Sequence, residues 1–384
     1  RNQSPAGFMA EREASSVSGS NCIVGTFGIR KPVYQIRGNL YADYNDLYLV
    51  NGGLAALLYD GDFGREFDSV QSWSLSSGQD AHSLSHEPRM ANAVGGDFHL
   101  VSSAGRYYPA VTNHVMDPPG NDSPLIDAGD PALACTEPAF NGGRVNIGRY
   151  GNTAQASKTP ADCALTLLSF NDGGRATGTN VPVRWNARGA ATNGMVTISY
   201  SADGGGTWTV LATNQPALSG LWYWNSTLSA PSVRAKLKLE SSAGCSVQSE
   251  KLFSVRNAPV FYYVNDASTS NDVYCAAIGS DANTGLSTNS PMADLNKLLE
   301  RYDLESGDVV YIDTGTYQGL DPWRISQADS AGDLNVPPVV FQGSTNSLWG
   351  GTVLDRAANT IGIQADYAVG LRLRAFKLAF QQRF

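Results

Sequence analysis

The segment from Ser123 to Ser157, SPLIDAGDPALACTEPAFNGGRVNIGRYGNTAQAS, constrains the fold of this chain more than any other part of it. It opens on a short apolar pair, Leu125 and Ile126, which predicts a strand stub that runs directly into tight turns. It closes on an alternation of apolar and polar residues over 145–150, before a Gly-Asn break. A stack of β-coils needs such a terminal segment, because its last rung otherwise exposes apolar side chains and unpaired backbone groups. The segment therefore predicts the end of one repetitive β-structure, with further modules after it.

The composition supports a β-protein with many turns. The 384 residues include 40 glycines and 18 prolines, and only 16% are charged. The formal net charge of -8 and the pI near 5.0 argue against nucleic acid and anionic membrane surfaces as partners, since both require a basic binding surface. No apolar run approaches the roughly 20 residues of a membrane-spanning helix.

Short apolar runs before the terminal segment are spaced like the rungs of a solenoid. They cover residues 22–24, 33–36, 47–50 and 54–58, and Gly, Asn or Asp separates them. This spacing is compatible with coils of roughly 20 to 25 residues. Three residues are predicted to be inward-facing turn asparagines that stack from coil to coil, rather than ligands: Asn39, Asn45 and Asn51.

Two helices are predicted. The first covers 66–79, where an apolar stripe would pack on the coil stack; the stripe contains Phe67, Val70 and Trp73 and is extended by Leu75. The second covers 290–304, with a proline in its first turn and a leucine-rich stripe. The second helix is predicted to cap the first coil of a later β-structure.

Two histidines raise the question of a zinc site. His82 and His86 are four residues apart, a spacing that places both on one face of a helix. The zinc-binding version of this spacing carries Glu after the first His, whereas Ser83 stands there. Gly78 before the pair and Pro88 after it favour a loop, so no metal site is predicted.

The pattern changes after a linker at 158–162. Residues 165–255 contain about seven short alternating strands with turn signals between them, which is typical of a β-sandwich. Within them Ser201 to Trp208 fits the Ser-x-Asp-x-Gly-x-Thr-Trp motif known as an Asp-box. A propeller needs this motif in several blades, so the single copy is interpreted as a well-formed hairpin turn.

The dense aromatic cluster Trp222-Tyr223-Trp224 lies in this module. On a strand the two tryptophans share one face and Tyr223 occupies the other. Two interpretations stay open. Either the tryptophans belong to the core and Tyr223 is an exposed strand residue, or the rings offer a surface on which a sugar stacks. The second interpretation makes Trp222, Tyr223 and Trp224 the candidate carbohydrate-binding residues.

A second pattern invites a calcium interpretation. Asp281-x-Asn283-x-Gly285 sets hard oxygen ligands at alternate positions, as calcium prefers. The twelfth position of an EF-hand loop requires Glu, and Met292 stands there. A turn held by the Asp and Asn side chains is therefore preferred, with calcium at Asp281 and Asn283 as the alternative.

The five cysteines show no metal-type spacing. If the protein is exported, Cys163 is predicted to pair with Cys245 or with Cys135; the alternative is isolated buried thiols.

Three regions resemble known families. SPLIDAGDP and NGGRVNIGRYGNTAQAS, with YNDLYLVNGG and DFHLVSSAGRYY upstream, resemble the C-terminal coils of right-handed parallel β-helix domains of the pectin-lyase-like type. The sandwich resembles fibronectin type III or immunoglobulin-like modules. The Gly-Ser-Asp-x-Asn-x-Gly turn at 279–285 and the Gly-Thr-Tyr at 315–317 resemble the opening of a second β-helix.

The resemblance implies an all-β chain of four parts. A poorly ordered lead-in covers 1–20, the C-terminal part of a parallel β-helix 21–160, the β-sandwich 164–256, and the N-terminal part of a second parallel β-helix 260–384. Arg1 and the apolar, uncapped end lead us to expect a piece of a longer polypeptide, with any export signal or anchor outside it.

Such proteins are secreted or displayed on the cell surface, so an extracellular role is expected. Residues 1–122 contain a single lysine, Lys31, and no Asp-Asp, Gly-His-Gly or Arg-Ile-Lys motif occurs in the chain. No catalytic residue and no cofactor is therefore predicted. The expected function is non-catalytic binding or spacing, with a polysaccharide or cell-surface glycan as partner. The alternative is a polysaccharide lyase or glycoside hydrolase whose catalytic coils lie outside these residues.

Overall fold

The chain is mainly β. The computed structural model describes residues 8–10, 16–27, 32–36, 39–50, 53–60, 63–256, 258–318, 321–325, 329–331, 336–346, 348, 350–355, 362–365, 368 and 370–379. Two compact units are present. Unit 1 comprises Arg1–Asp62 and Glu66–Arg256, and unit 2 comprises Phe63–Arg65 and Asn257–Phe384.

The first part of unit 1 contains parallel strands that recur along the chain. These strands are β1 (Phe8–Ala10), β2 (Ser16–Ser20), β3 (Ile23–Phe27), β4 (Pro32–Ile36), β5 (Asn39–Asp43), β6 (Asp46–Val50) and β7 (Leu54–Asp60). Strand β8 (Phe63–Phe67) follows in chain order. Strand β4 pairs with β1 and β7, β2 with β5, and β3 with β6, all in parallel. Each pairing joins strands one repeat apart, as in Ile23 with Asp46 and Tyr34 with Ala56.

The predicted lead-in is structured in part. Strands β1 and β2 lie within residues 1–20, because each finds a parallel partner in the next repeat. Behind the strands lies a core that includes Val33, Ile36, Leu47 and Ala55.

The helix predicted over 66–79 is α1 (Val70–Ser77). Ser69 caps its start by accepting a hydrogen bond from Ser72 N, and Gly78 ends it in the left-handed conformation. The predicted stripe of Phe67, Val70 and Trp73 is buried. Leu75 does not belong to it, since this side chain is 48% exposed.

The terminal segment 123–157 contains turns and no strand, although strand stubs were predicted. Its apolar residues are buried as expected, with Leu125, Ile126 and Ile147 in one cluster that Ile23 also contacts. Ile147 N donates to Leu125 O at 3.0 Å, and Gly148 N donates to Asn21 O at 2.9 Å. Short antiparallel pairs precede the segment: β9 (Met90–Asn92) with β10 (Asp97–Leu100), and β11 (Arg106–Tyr108) with β12 (Asn113–Val115).

Two sheets form the rest of unit 1. The first has the order β13-β15-β18, and the second β14-β21-β19-β16-β17 with β20 paired to β19. The strands are β13 (Ala164–Leu167), β14 (Arg175–Ala176), β15 (Val181–Arg188), β16 (Met195–Ser201), β17 (Thr209–Pro216), β18 (Leu221–Trp224), β19 (Ser232–Ser241), β20 (Ser246–Gln248) and β21 (Phe253–Val255). Both sheets contribute to one core, for example through Val183 and Trp185 from the first and Ile198 and Leu237 from the second.

Cys163 and Cys245 form a disulfide across this core, which confirms one of the two predicted pairings. The Asp-box is a turn, as interpreted. The exposed Asp203 carboxylate accepts hydrogen bonds from Ser201 Oγ at 2.7 Å and from Thr207 N at 2.9 Å, which lower its pKa.

Unit 2 again pairs its strands in parallel. They are β22 (Phe261–Val264), β23 (Val309–Ile312), β24 (Gly315–Gln318), β25 (Trp323–Ile325), β26 (Val339–Gly343), β27 (Thr352–Asp355), β28 (Ile363–Ala365), β29 (Leu371–Arg374) and β30 (Phe376–Ala379). Three sheets result, with the orders β22-β23-β26-β29, β24-β27-β30 and β25-β28.

The helix predicted over 290–304 is shorter, α2 (Leu295–Arg301). Asp294 caps it by accepting from Asn296 N at 2.7 Å. Leu295 and Leu298 are fully buried, as the predicted stripe requires.

Candidate functional site

The sequence-predicted aromatic cluster lies on β18, beside β15. Trp224 is 1% exposed and packs against Phe170, Tyr200 and Phe253, so it belongs to the core and offers no face to a ligand. Trp222 is half-buried, and only Tyr223, at 50%, is exposed. Sugar stacking here stays a prediction, which exposed Tyr223 and half-buried Trp222 can carry and Trp224 cannot.

The calcium candidate is a turn held by hydrogen bonds to one carboxylate oxygen and two backbone carbonyls. Asp281 Oδ1 accepts a hydrogen bond from Asp294 N at 3.0 Å, and the Arg301 guanidinium donates to the carbonyls of Asp281 and Asn283. Arg301 thus bonds to the backbone of this turn, and calcium at Asp281 and Asn283 stays a prediction. The described residues hold no group of three or more His, Cys, Asp or Glu side chains arranged to bind a metal ion.

The two histidines four residues apart face different partners. His82 Nδ1 lies 2.7 Å from Asp43 Oδ2, and the His82 ring stacks on Tyr44 with centroids 4.8 Å apart. His86 Nδ1 lies 3.0 Å from Glu250 Oε1. The segment is a loop, as predicted, because its backbone bonds run to other segments, as in Leu84 N to Asn45 O. Asn45 is 1% exposed, as a turn asparagine should be; Asn39 is exposed, and Asn51 lies outside the described residues.

Unit 2 presents a cluster of rings that the sequence analysis missed. We call the aromatic patch the four residues Phe261, Tyr263, Tyr274 and Tyr311. Tyr311 is at its centre, with ring centroids 4.7 Å from Tyr274, 5.6 Å from Tyr263 and 6.2 Å from Phe261. Phe261 is 50% exposed and the three tyrosines are half-buried. The patch is therefore an accessible surface of aromatic faces and edges.

Strand alternation creates the patch. Along β22 and β23 the buried residues Tyr262 and Val310 face the core, so Tyr263 and Tyr311 face outward. The register continues this outward row through Gln342 on β26 to Arg374 on β29. Neighbouring strands lie about 4.8 Å apart. A row of two rings, an amide and a guanidinium therefore crosses the sheet at right angles to the strands.

A buried carboxylate positions Tyr274, which is on a loop rather than on the sheet. Asp313 is fully buried and accepts backbone hydrogen bonds from Val273, Tyr274 and Cys275, the last at 2.5 Å. The Tyr274 hydroxyl donates to Gly343 O at 3.1 Å. The loop is thus fixed from both ends of Tyr274, which keeps its ring over Tyr311.

Asp272, on the same loop, provides a pH test of this arrangement. Burial, together with the carboxylates of Asp313 and Asp266, raises its pKa to about 6, although Asn265 Nδ2 donates to it at 2.7 Å. Its other carboxylate oxygen is buried without a hydrogen-bond partner. Because the folded-state pKa is raised, the fold favours the protonated acid, and ionisation between about pH 4 and 6 costs stability.

Asp272→Asn is therefore expected to stabilise unit 2 at pH 8 and to change little at pH 4. The gain should be no more than about 1 kcal/mol, because solvent screens a half-exposed carboxylate. Urea unfolding of the wild type and the variant at both pH values measures it. An equal effect at pH 4 and pH 8 would show that the charge of Asp272 is not the cause.

Sequence reasoning could have found part of the patch. The run Phe261-Tyr-Tyr-Val and the Tyr at 311 are both aromatic at strand positions, and alternation gives the outward side. Tyr263 lies beside Tyr311 because of the register between β22 and β23. A long connection, 265–308, separates these strands, and no local sequence pattern predicts their register.

Comparison of the chain with protein-family models, with curated proteins and with solved structures gives no match. Among the described residues, neither helix has the length and apolar character needed to cross a membrane.

Proposed function

We propose that this chain is a polysaccharide-binding and spacing part of a secreted or cell-surface protein, without catalytic activity of its own. In this proposal its two repetitive parts are right-handed parallel β-helix coils of the pectin-lyase-like type, and the two-sheet part of unit 1 is a module of the fibronectin type III or immunoglobulin-like kind. The aromatic patch is the observation that carries the binding role.

The strand pairing supports the architecture. In both units a strand pairs in parallel with a strand one repeat later, and unit 1 has three such sets of strands. Long rods of this kind set distances between binding surfaces. The Cys163–Cys245 disulfide supports an extracellular setting, since disulfides persist mainly in oxidising compartments.

The chemistry of the patch supports a sugar ligand. A sugar ring has an apolar face that packs on aromatic rings and hydroxyls that bond to polar side chains, and Tyr hydroxyls, Gln342 and Arg374 supply such groups. The row crosses several strands, so it can follow more than one residue of a glycan chain. Tyr274 loses little side-chain entropy when a ligand binds, because its backbone and its hydroxyl are already fixed.

Tyr311→Ala tests the binding role, because Tyr311 contacts each of the other three rings. We expect the full chain to be retained in affinity electrophoresis through gels that contain one of a panel of neutral and acidic polysaccharides. In the retaining gel the variant should bind about tenfold more weakly. The matched control is Tyr41→Ala, which removes a 62% exposed tyrosine from unit 1 and should bind like the wild type.

Three outcomes decide the proposal. Retention that Tyr311→Ala weakens supports it. Retention that only Tyr223→Ala weakens would transfer the binding role to β18. Release of unsaturated or reducing ends from a retained polysaccharide would contradict the non-catalytic role and favour the lyase or hydrolase alternative.

A further inference from the structure

A pocket of about 270 Å³ lies in unit 1, separate from the aromatic patch. One wall is α1 with the turn that follows it, and the other consists of Leu168 and Ser169 with Pro182 and Arg184 of β15. The volume is close to the lower end for ligand sites, about 300 Å³, and suits one small molecule or one sugar ring rather than a chain.

Three polar side chains that line the pocket lack protein partners. Arg184, Gln71 and Ser74 make no side-chain hydrogen bond or ion pair with any described residue. Gln71 is only 6% exposed. Its amide, the Ser74 hydroxyl and the Arg184 guanidinium are therefore available to bond to a ligand in the pocket.

The one carboxylate in the lining is already satisfied. Asp80 accepts hydrogen bonds from Ser83 Oγ at 2.6 Å, from Trp73 Nε1 at 3.0 Å and from Asn45 Nδ2 at 3.2 Å. It therefore holds the turn in place and does not form an ion pair with Arg184. Ser169 Oγ is also used, since it accepts from Arg184 N and donates to Pro182 O. The groups in the pocket that remain available to bind a ligand are thus the Arg184 guanidinium, the Gln71 amide and the Ser74 hydroxyl.

We propose that this pocket binds a small hydroxylated carboxylate, with its carboxylate on Arg184 and its hydroxyls on Gln71 and Ser74. A guanidinium pairs with a carboxylate through two parallel hydrogen bonds, and Gln and Ser can each donate to and accept from a hydroxyl. The ligand is either the uronic acid residue of a glycan or a free acyclic hydroxy acid, which share this chemistry. The inference rests on the pocket alone and goes beyond the proposed function.

The test is calorimetric titration of the full chain with glucuronate, gluconate and glucose. At least one of the two acids should bind tenfold or more tightly than glucose, and the tighter acid identifies the cyclic or acyclic source. Arg184→Met should weaken acid binding by about tenfold to a hundredfold, as expected for loss of a charge-assisted pair. Ser74→Phe, which fills the pocket and leaves the charge, should abolish it as well. The control Arg234→Met removes a half-buried arginine of β19 outside the pocket and should bind normally.

The proposal is overturned if neither acid binds at up to about 50 mM, if glucose binds as tightly as the acids, or if Arg184→Met binds like Arg234→Met. Retention on polysaccharide that depends on Tyr311 would stand in each of these cases, because Tyr311 lies in the other unit. Failure of the proposed function and failure of this inference are thus separable.

Discussion

Removal of the disulfide by the double substitution Cys163→Ala and Cys245→Ala is expected to lower the free energy of unfolding of unit 1 by about 4 kcal/mol. The bond joins residues 82 positions apart, from the start of β13 to the turn between β19 and β20. Closing so long a loop removes many conformations from the unfolded chain, which is the main source of the stabilisation. For a unit of this size the midpoint of thermal unfolding should fall by roughly 10 °C.

The control is Cys22→Ala with Cys135→Ala, which removes two half-buried free thiols and should cost under about 1 kcal/mol in total. Alkylation of the unreduced wild type should label Cys22, Cys135 and Cys275 only. Peptide mapping that links Cys163 to Cys135 would contradict the structure, as would labelling of all five cysteines without reductant.

The disulfide also shows what sequence reasoning could supply. The sequence led us to predict Cys135 or Cys245 as the partner of Cys163 if the protein is exported, and no local pattern separates the two. Only the antiparallel register, which brings β20 back along β19 towards β13, selects Cys245. Long-range pairing of this kind is set by the whole sheet, so no local pattern predicts it.

The positions of the helices and their buried apolar residues were predicted correctly, but the exposure of Leu75 beside them was not. Val70 and Trp73 follow the helical period, and both are buried in α1. Leu75 shares their hydrophobicity but is 48% exposed, because apolar residues also occur at protein surfaces. The apolar residues of the terminal segment are buried although the segment forms no strand. Its backbone groups form hydrogen bonds within its own turns and with Asn21, and not with a neighbouring strand.

Both candidate sites required contacts that the sequence does not encode locally. The pocket brings Gln71 of α1 near Arg184 of β15, more than a hundred positions later in the chain. The aromatic patch needs Asp313 to hold the loop that carries Tyr274. Sequence reasoning instead selected Trp222, Tyr223 and Trp224, because a dense run of aromatic residues is as typical of a core as of a binding site.

His86 joins the part of unit 1 that precedes residue 160 to its two-sheet part, and we call this contact the histidine clasp. Its Nδ1 lies 3.0 Å from Glu250 Oε1 and its Nε2 lies 2.9 Å from Leu167 O. Both partners are acceptors, and a neutral imidazole has one N–H, so only the imidazolium satisfies both. Burial alone would lower the pKa of His86, but Glu250, the Leu167 carbonyl and Asp46 together raise it.

Asp46 shares the site and shifts stability in the same direction. It is fully buried, accepts from His86 N at 3.0 Å, and has a second carboxylate oxygen without a hydrogen-bond partner. Burial raises its pKa to about 7, although His86 lowers it. For both groups the raised folded-state pKa means that the fold favours the protonated form. The free energy of unfolding should therefore fall between about pH 4 and 7 as Asp46 ionises. It should fall again at higher pH, above the usual pKa of histidine, as His86 loses its proton.

His86→Leu is expected to cost about 2 to 4 kcal/mol at pH 6, because two charge-assisted hydrogen bonds are lost and the Leu167 carbonyl is left without its donor. The cost should shrink at pH 9, where the wild type has lost the imidazolium as well. Urea unfolding at the two pH values measures this, and hydrogen exchange of residues 164–167 reports the local opening of β13. His114→Leu is the matched control, since within the described part of the chain the half-buried His114 ring bonds to one acceptor, Ala156 O at 2.9 Å. If the two variants lose equal stability, or if the cost of His86→Leu is the same at pH 6 and pH 9, the clasp does not depend on a charged imidazole.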